Sequence, residues 1–177
     1  CFPSDKNRVL VTLVENIKPV LNSVVRNFYT PYSCGICGKA SIDVIGKLPV
    51  FSNEKDSIPI SADLLYALPG LARNQQRIFD DTGGIHASAL FSLKADLLLI
   101  REDVGRHNAL DKIIGAAFLK RLLPLHQTIL LLSGRTGFEL VQKALMAGIK
   151  IIVAVGAPSS LAVELAEEYS ITLIGFL

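Results

Sequence analysis

Two thiols three positions apart, each followed by glycine, form the most reactive feature of the chain: Ser33-Cys34-Gly35-Ile36-Cys37-Gly38-Lys39. Glycine beside cysteine removes bulk and permits sharp turns, so both sulfurs can occupy an accessible loop. That suits a sulfur nucleophile which must reach two partners in turn. In a reducing compartment a cysteine pair on a loop serves metal or redox chemistry more often than a structural disulfide. Half of a zinc knuckle, or a pair of incidental surface cysteines, would show the same spacing. Cys1 and three histidines remain as further ligands for a full four-ligand site, and no bound metal is expected.

Four glycine-bearing segments carry the remaining candidates. In Asp81-Thr82-Gly83-Gly84-Ile85-His86-Ala87-Ser88-Ala89, the pair Gly83 and Gly84 would expose backbone N–H groups to an anion at a turn feeding a helix of small residues, with His86 able to bind ligand, move a proton or coordinate metal; a plain tight turn beside a hydrogen-bonded core histidine would show the same residues. Arg101-Glu102-Asp103-Val104-Gly105-Arg106-His107-Asn108-Ala109-Leu110-Asp111-Lys112 is the densest polar cluster. In a helix starting near His107, the pairs His107/Asp111 and Asn108/Lys112 would each stack on one face, and a carboxylate held against the imidazole would fix its tautomer. Ordinary helix capping accounts for Asp103 and Asn108 but leaves Arg106 and His107 without a task. Ser133-Gly134-Arg135-Thr136-Gly137 resembles an anion-binding turn without the Gly-Lys-Ser/Thr ending of a phosphate loop. Gly156-Ala157-Pro158-Ser159-Ser160 holds the equivalent place after the next strand. Several such loops together point to a large polyanionic ligand.

The elements that position these segments follow from periodicity. Apolar runs at Asp96 to Ile100, Thr128 to Leu132, Ile149 to Val155 and Ile171 to Phe176 alternate with helical stretches, which argues for a parallel or mostly parallel sheet under helices. Leu110, Ile113, Ile114, Ala117 and Phe118 share one face of a helix over Asn108 to Leu122. Phe138, Val141, Ala144 and Leu145 repeat the pattern until Gly148 stops it. Pro158 and two serines open a last helix with Leu161, Leu165 and Tyr169 on one face. Arg8 to Val14 reads as a strand, Pro49 to Pro59 as an exposed loop and Ser61 to Ile78 as one or two helices. No internal repeat is visible. Gly105, Gly134 and Gly156 all follow strands, at the edge where open α/β sheets bind ligands.

Length and composition set the frame. The 177 residues are 50% apolar and 19% charged, with a mean hydropathy of +0.44, which fits one self-stabilising folded domain with at most a small appendage. A net charge of +2 gives little field for gathering nucleic-acid phosphates, so no nucleic-acid partner is expected. The apolar runs are far shorter than the roughly 20 residues of a membrane span and no leader is visible, so a cytoplasmic location is expected. The chain opens on Cys1 and its only methionine is Met146, so it is expected to be the core of a longer protein.

Five blocks in this order, residues 33–39, 82–88, 101–112, 133–136 (Ser-Gly-Arg-Thr) and 171–176 (Ile-Thr-Leu-Ile-Gly-Phe), resemble the FdhD family, the formate dehydrogenase accessory sulfurtransferases. The resemblance covers nearly the whole chain, without the family's usual β-rich front and the tail beyond the last strand. It implies a three-layer α/β/α fold with a cytidine-deaminase-like core and a mixed sheet. Residues 1–60 would hold a strand, the cysteine loop and a linker, and residues 61–177 the cofactor-binding core.

It also implies a carrier that accepts sulfane sulfur from a cysteine desulfurase and passes it to the molybdenum or tungsten bis-molybdopterin guanine dinucleotide, a client cofactor destined for formate dehydrogenase. By that resemblance Cys34 is the persulfide carrier and Cys37 its partner. Cofactor contacts would fall on Gly83, Gly84, His86, Asp103, Arg106, His107, Asn108, Ser133 and Arg135 and on the segment Leu173, Ile174, Gly175, Phe176 and Leu177. A homodimer is expected, because cofactors of this size often bind between subunits. Two rivals differ in class. One is a chaperone that binds the cofactor without sulfur chemistry. The other is a zinc deaminase, which needs His-x-Glu and a later Pro-Cys-x-x-Cys, whereas Ala87 and Ser88 follow His86 here and the cysteine pair comes first.

Overall fold

Residues Thr128 to Leu132 are buried at every position, which a strand achieves only when both faces of its sheet are covered. The structure, a computed structural model, describes residues 12–14, 51 and 59–177. The chain divides into two units, Cys1–Lys47 and Leu48–Leu177, and every element named here lies in the second. The helices are α1 (Ala62–Arg73), α2 (Arg77–Thr82), α3 (Arg106–Leu119), α4 (Phe138–Met146) and α5 (Ser160–Glu168). The strands are β1 (His86–Ser92), β2 (Leu97–Asp103), β3 (Thr128–Leu132), β4 (Ile151–Ala154) and β5 (Thr172–Ile174).

These strands form one sheet in the order β2-β1-β3-β4-β5. β1 is antiparallel to both neighbours, while β3, β4 and β5 run parallel. Since β2 and β3 are each antiparallel to β1, they point the same way. The crossovers through α3, α4 and α5 therefore all step in one direction across the sheet, and the right-handed rule puts all three helices on one face. The other face belongs to α1, whose Leu68 and Ala72 pack with Ala89, Phe91, Ile129, Leu131, Ile151 and Val153. Side chains of opposite parity, Leu90, Leu130 and Ile152, are fully buried beneath the three crossover helices. Each such leucine or isoleucine contributes about 1.5–3 kcal/mol relative to an exposed one. The result is the expected three-layer α/β/α arrangement with a mixed sheet.

Several local expectations need correction. The sheet is not mostly parallel, because β1 and β2 are joined by a tight hairpin, and a hairpin makes an antiparallel pair by construction. Ser92 organises that turn: its Oγ accepts from Lys94 N (3.2 Å) and Asp96 N (3.1 Å), and Ala95 takes a left-handed φ of 66°. The small-residue run after Gly84 is the strand β1, not a helix. Alanine's helix preference is worth only tenths of a kcal/mol per residue, and two ladders with alternate burial outweigh it. The segment expected to be one or two helices forms two, and the second runs to Thr82. Helix α3 begins two residues before Asn108 and ends before Leu122, where Arg121 turns left-handed. Phe118 is 67% exposed, because one residue beyond Ala117 rotates the side chain about 100° off the buried face. The last strand stops at Ile174 rather than Phe176, which has a φ of 61°. Thr12, Leu13 and Val14 are exposed and carry no regular structure. The rest of the expected strand over Arg8 to Val14 and most of the loop over Pro49 to Pro59 lie outside the described residues.

An internal repeat is present after all. Helices α4 and α5 have nine residues each and begin 22 residues apart, at Phe138 and Ser160. The same offset relates the paired positions Ile129 and Ile151, the loop glycines Gly134 and Gly156, and the left-handed residues Gly148 (φ 79°) and Ser170 (φ 53°) that end each helix. Even the terminal hydrogen bonds match, with Ile149 N donating to Ala144 O (2.9 Å) and Ile171 N to Ala166 O (2.8 Å). Few side chains coincide between the two copies, so the repeat is carried by the backbone.

Candidate functional site

The carboxyl ends of β2 to β5 and the amino end of β1 share one edge of the sheet, and the loops there are pressed together. A Cβ on Gly156 would lie 2.8 Å from Arg135 N and 2.9 Å from Gly134 C, so only glycine lets these two loops touch. A Cβ on Gly134 would lie 3.1 Å from His86 Nδ1, so the imidazole packs on the bare backbone of the first loop. Ser133 completes that junction: its Oγ accepts from Ala87 N at 2.8 Å, and its own N donates to Ala87 O at 3.0 Å. Beyond β5, Phe176 N donates to Gly156 O (3.4 Å) and Leu177 N to Ala154 O (3.2 Å). Residues 173–177 therefore stay alongside β4, with Phe176 exposed and Leu177 packed against the core on the α1 face.

Beside this edge, on the α1 face, lies a pocket of about 680 Å³. Its floor is Ala87, Ala89 and Leu131, and its mouth is formed by Gly83, Gly84, His86 and Ser133 with Val155. Its roof is the corner between α1 and α2, including Pro69, Gly70, Arg73, Gln76 and Phe79. The corner is braced twice. Arg73 pairs with Asp80 at 2.6 Å and lies 4.5 Å over the Phe79 ring. Glu102 on β2 accepts from Ile78 N (3.0 Å) and Phe79 N (2.9 Å), a carboxylate at a helix start. Four of the residues expected to contact a cofactor thus meet at one pocket. Arg73, Gln76 and Phe79 join them, and no turn or charge pattern in Gln75-Gln76 or in the helical run marks them out.

A second group lies at the start of α3. Asp103 is held by Lys112 Nζ (2.5 Å), Gly105 N (2.9 Å) and Asn108 Nδ2 (3.1 Å). Lys112 and the Gly105 N–H, with Asn108, lower its carboxyl pKa from 3.8 to about 2. Asp103, Asn108 and Lys112 therefore hold the helix start together. Asp111, four residues along α3 from His107 as expected, forms an ion pair with Lys143 of α4 at 2.6 Å. Burial pushes the His107 imidazole below its ordinary value. Glu139 and Asp111 oppose that shift, and Arg106 and Lys143 reinforce it. Arg106 Nε is buried without a hydrogen-bond partner among the described residues.

Arg135 is exposed at the tip of the first loop. Cys34 and Cys37 lie outside the described residues. Among the described residues, no three His, Cys, Asp or Glu side chains gather as a metal site, and no helix is long and apolar enough to cross a membrane. The edge therefore offers an apolar slot next to glycine loops with one exposed arginine, a combination that fits a ring system joined to an anion.

The profile of the FdhD/NarQ family matches residues 4–177. The chain is 52% identical over 168 residues to the sulfur carrier protein FdhD of Mycolicibacterium paratuberculosis, covering 94% of this chain and 61% of that one. With the sulfur carrier protein FdhD of Sulfolobus acidocaldarius it shares 47% identity over 152 residues, covering 86% of this chain and 58% of the relative. The chain thus spans less than two thirds of the length of these relatives. A crystal structure assigned as a formate dehydrogenase accessory protein from Desulfotalea psychrophila superposes with a TM-score of 0.60 at 28% identity, covering 68% of this chain and 53% of that one.

Proposed function

The chain belongs to the FdhD/NarQ family, and from that premise we propose that it carries sulfur for formate dehydrogenase maturation, with Cys34 as the persulfide site and Cys37 as its partner. The Cys34 thiolate attacks the terminal sulfur of a persulfide on a cysteine desulfurase. A new S–S bond forms on Cys34, the donor's S–S bond breaks, and the donor cysteine leaves as a thiolate. The acceptor is the client molybdenum or tungsten bis-molybdopterin guanine dinucleotide, bound at the loop edge before its insertion into the dehydrogenase. The observation that carries this reading is the glycine-flanked pair Cys34/Cys37 in a chain so similar to named sulfur carriers. The pocket of about 680 Å³ beside glycine loops supports the cofactor half of it.

Mass spectrometry after incubation with a cysteine desulfurase and cysteine tests the proposal. The expected result is an adduct of about 32 Da on Cys34 or Cys37, lost in Cys34→Ala while binding of guanosine diphosphate persists. A Cys34→Ala variant that still fully activates formate dehydrogenase in cells would overturn the carrier role. It would leave a cofactor chaperone in its place.

A further inference from the structure

Strand β2 has a neighbour on one side only among the described residues, and a groove of about 760 Å³ runs along its outer edge. One wall is α2, with Arg77 and Ile78, and the other is α3, with Lys112 and Leu119. The register fixes which backbone groups face this groove. Ala87 turns its carbonyl toward β3, where Ser133 N donates to it at 3.0 Å, and Ala87 stands opposite Glu102 in the β1/β2 ladder. Ala87 and Glu102 therefore form a pair without hydrogen bonds between its members. The N–H and C=O of Glu102, and of Ile100 two residues earlier, point away from β1 into the groove. Both carbonyls are met by cations rather than by a strand: Arg101 donates to Ile100 O at 2.7 Å and Lys112 Nζ to Glu102 O at 3.0 Å.

Cations over outward carbonyls keep an edge from pairing at random. They also make it selective, because a carboxylate competes well against a neutral carbonyl for a guanidinium or an ammonium. Among the described residues the groove has no carboxylate to spare, since Glu102 is engaged by Ile78 N and Phe79 N. Arg77 makes no hydrogen bond or ion pair among the described residues. Ile78 and Leu119, 47% and 82% exposed, put one large apolar side chain on each wall. A second copy of the chain is a poor occupant, because antiparallel pairing of two β2 edges would bring two sets of these cations together. We infer that the β2 edge takes up an extended acidic and apolar segment of a partner protein as a further strand, whose carboxylates draw Arg101 and Lys112 off the carbonyls and open them to the ladder.

Fluorescence anisotropy on the full chain tests this with labelled peptides of about eight residues, built from glutamate and valine in several orders. At least one is expected to bind, and its lysine-for-glutamate counterpart about tenfold or more weakly. Two further peptides carry methyl groups on the odd or on the even backbone nitrogens, which keeps every side chain and removes the donors of one edge. One of the two is expected to bind about 10- to 100-fold more weakly and the other to keep its affinity. In the complex, hydrogen exchange at the Ile100 and Glu102 amides slows. Arg77→Glu, at a side chain with no partner to lose, weakens the acidic peptide about tenfold with an unchanged melting temperature. The inference is overturned if no acidic peptide binds, if the lysine peptide binds equally well, or if backbone methylation has no effect at either set of nitrogens. It is also overturned if sedimentation shows a dimer that Arg77→Glu dissociates, which would put a second copy on the edge. The peptide and exchange arms use wild-type protein, so they do not depend on the variant folding.

Discussion

The two copies of the strand–loop–helix repeat share a backbone and differ in what their loops carry. The first loop is Ser133-Gly134-Arg135-Thr136-Gly137, and the second is Val155-Gly156-Ala157-Pro158-Ser159. Thr136 and Pro158 even form a bridge across them. In the second copy Ser159 Oγ accepts from Ala162 N at 3.2 Å and caps its own helix. In the first copy Gly137 has no side chain to cap with, and the loop presents an exposed arginine instead. One loop closes on itself and the other leaves its arginine exposed. A shared backbone therefore does not make two equivalent loops: side chains decide which copy caps its own helix and which presents an exposed cation.

The sharpest way to break that comparison is at the glycines. Gly156→Ala should destabilise the protein by about 1–3 kcal/mol in denaturant titrations, because its Cβ meets backbone that cannot yield. Gly134→Ala should cost less stability, because its Cβ meets a histidine ring, and should instead alter nucleotide binding by displacing His86. Equal stability losses would erase the distinction. Next, Arg135→Ala is expected to weaken guanosine diphosphate about tenfold without lowering the melting temperature, while Ala157→Ser in the second loop leaves affinity unchanged. Loss of affinity from both would make the loops alike.

Smaller effects sharpen the same contrast. Ser159→Ala should cost about 1 kcal/mol of stability by removing a cap, whereas Gly137→Ser should add roughly a few tenths. An acid response between pH 5 and 7 should involve the first copy's helix and not the second's, since His107 of α3 faces Glu139 and Lys143 of α4. Its folded pKa lies below the unfolded value of 6.5, so the unfolded chain binds the extra proton and stability falls as pH drops below about 6.5. His107→Gln should flatten that slope in thermal melts at pH 5 to 7. A slope unchanged in the variant would place the acid sensitivity elsewhere.

Much of this arrangement was legible in the chain. The apolar runs marked β3 and β4 because strands buried on both faces need no polar alternation, and glycine after each run marked the edge where the loops gather. The strand β1 escaped because alanine and serine look helical until two neighbours pair with them. Its hairpin escaped because Leu93-Lys94-Ala95-Asp96 lacks the glycine or asparagine that usually announces one. The repeat escaped because its copies match in dihedral angles rather than in side chains. At the site, glycines and charges revealed the mouth of the pocket, but its interior is made of residues such as Ala89 and Gln76, whose role exists only once α1 and α2 lie over the sheet.

The brace from Glu102 gives the outermost strand an influence over that interior. Helix α2 is six residues long, and Gln76 at its start supplies no side-chain cap. The side-chain hydrogen bonds joining α2 to the sheet among the described residues both end on Glu102. A carboxylate on the rim thus works as a latch, and the height of the ceiling over Ala87 and Ala89 is set from the far side of the neighbouring strand. Anything that pairs with or bends β2 would therefore change the shape of the slot.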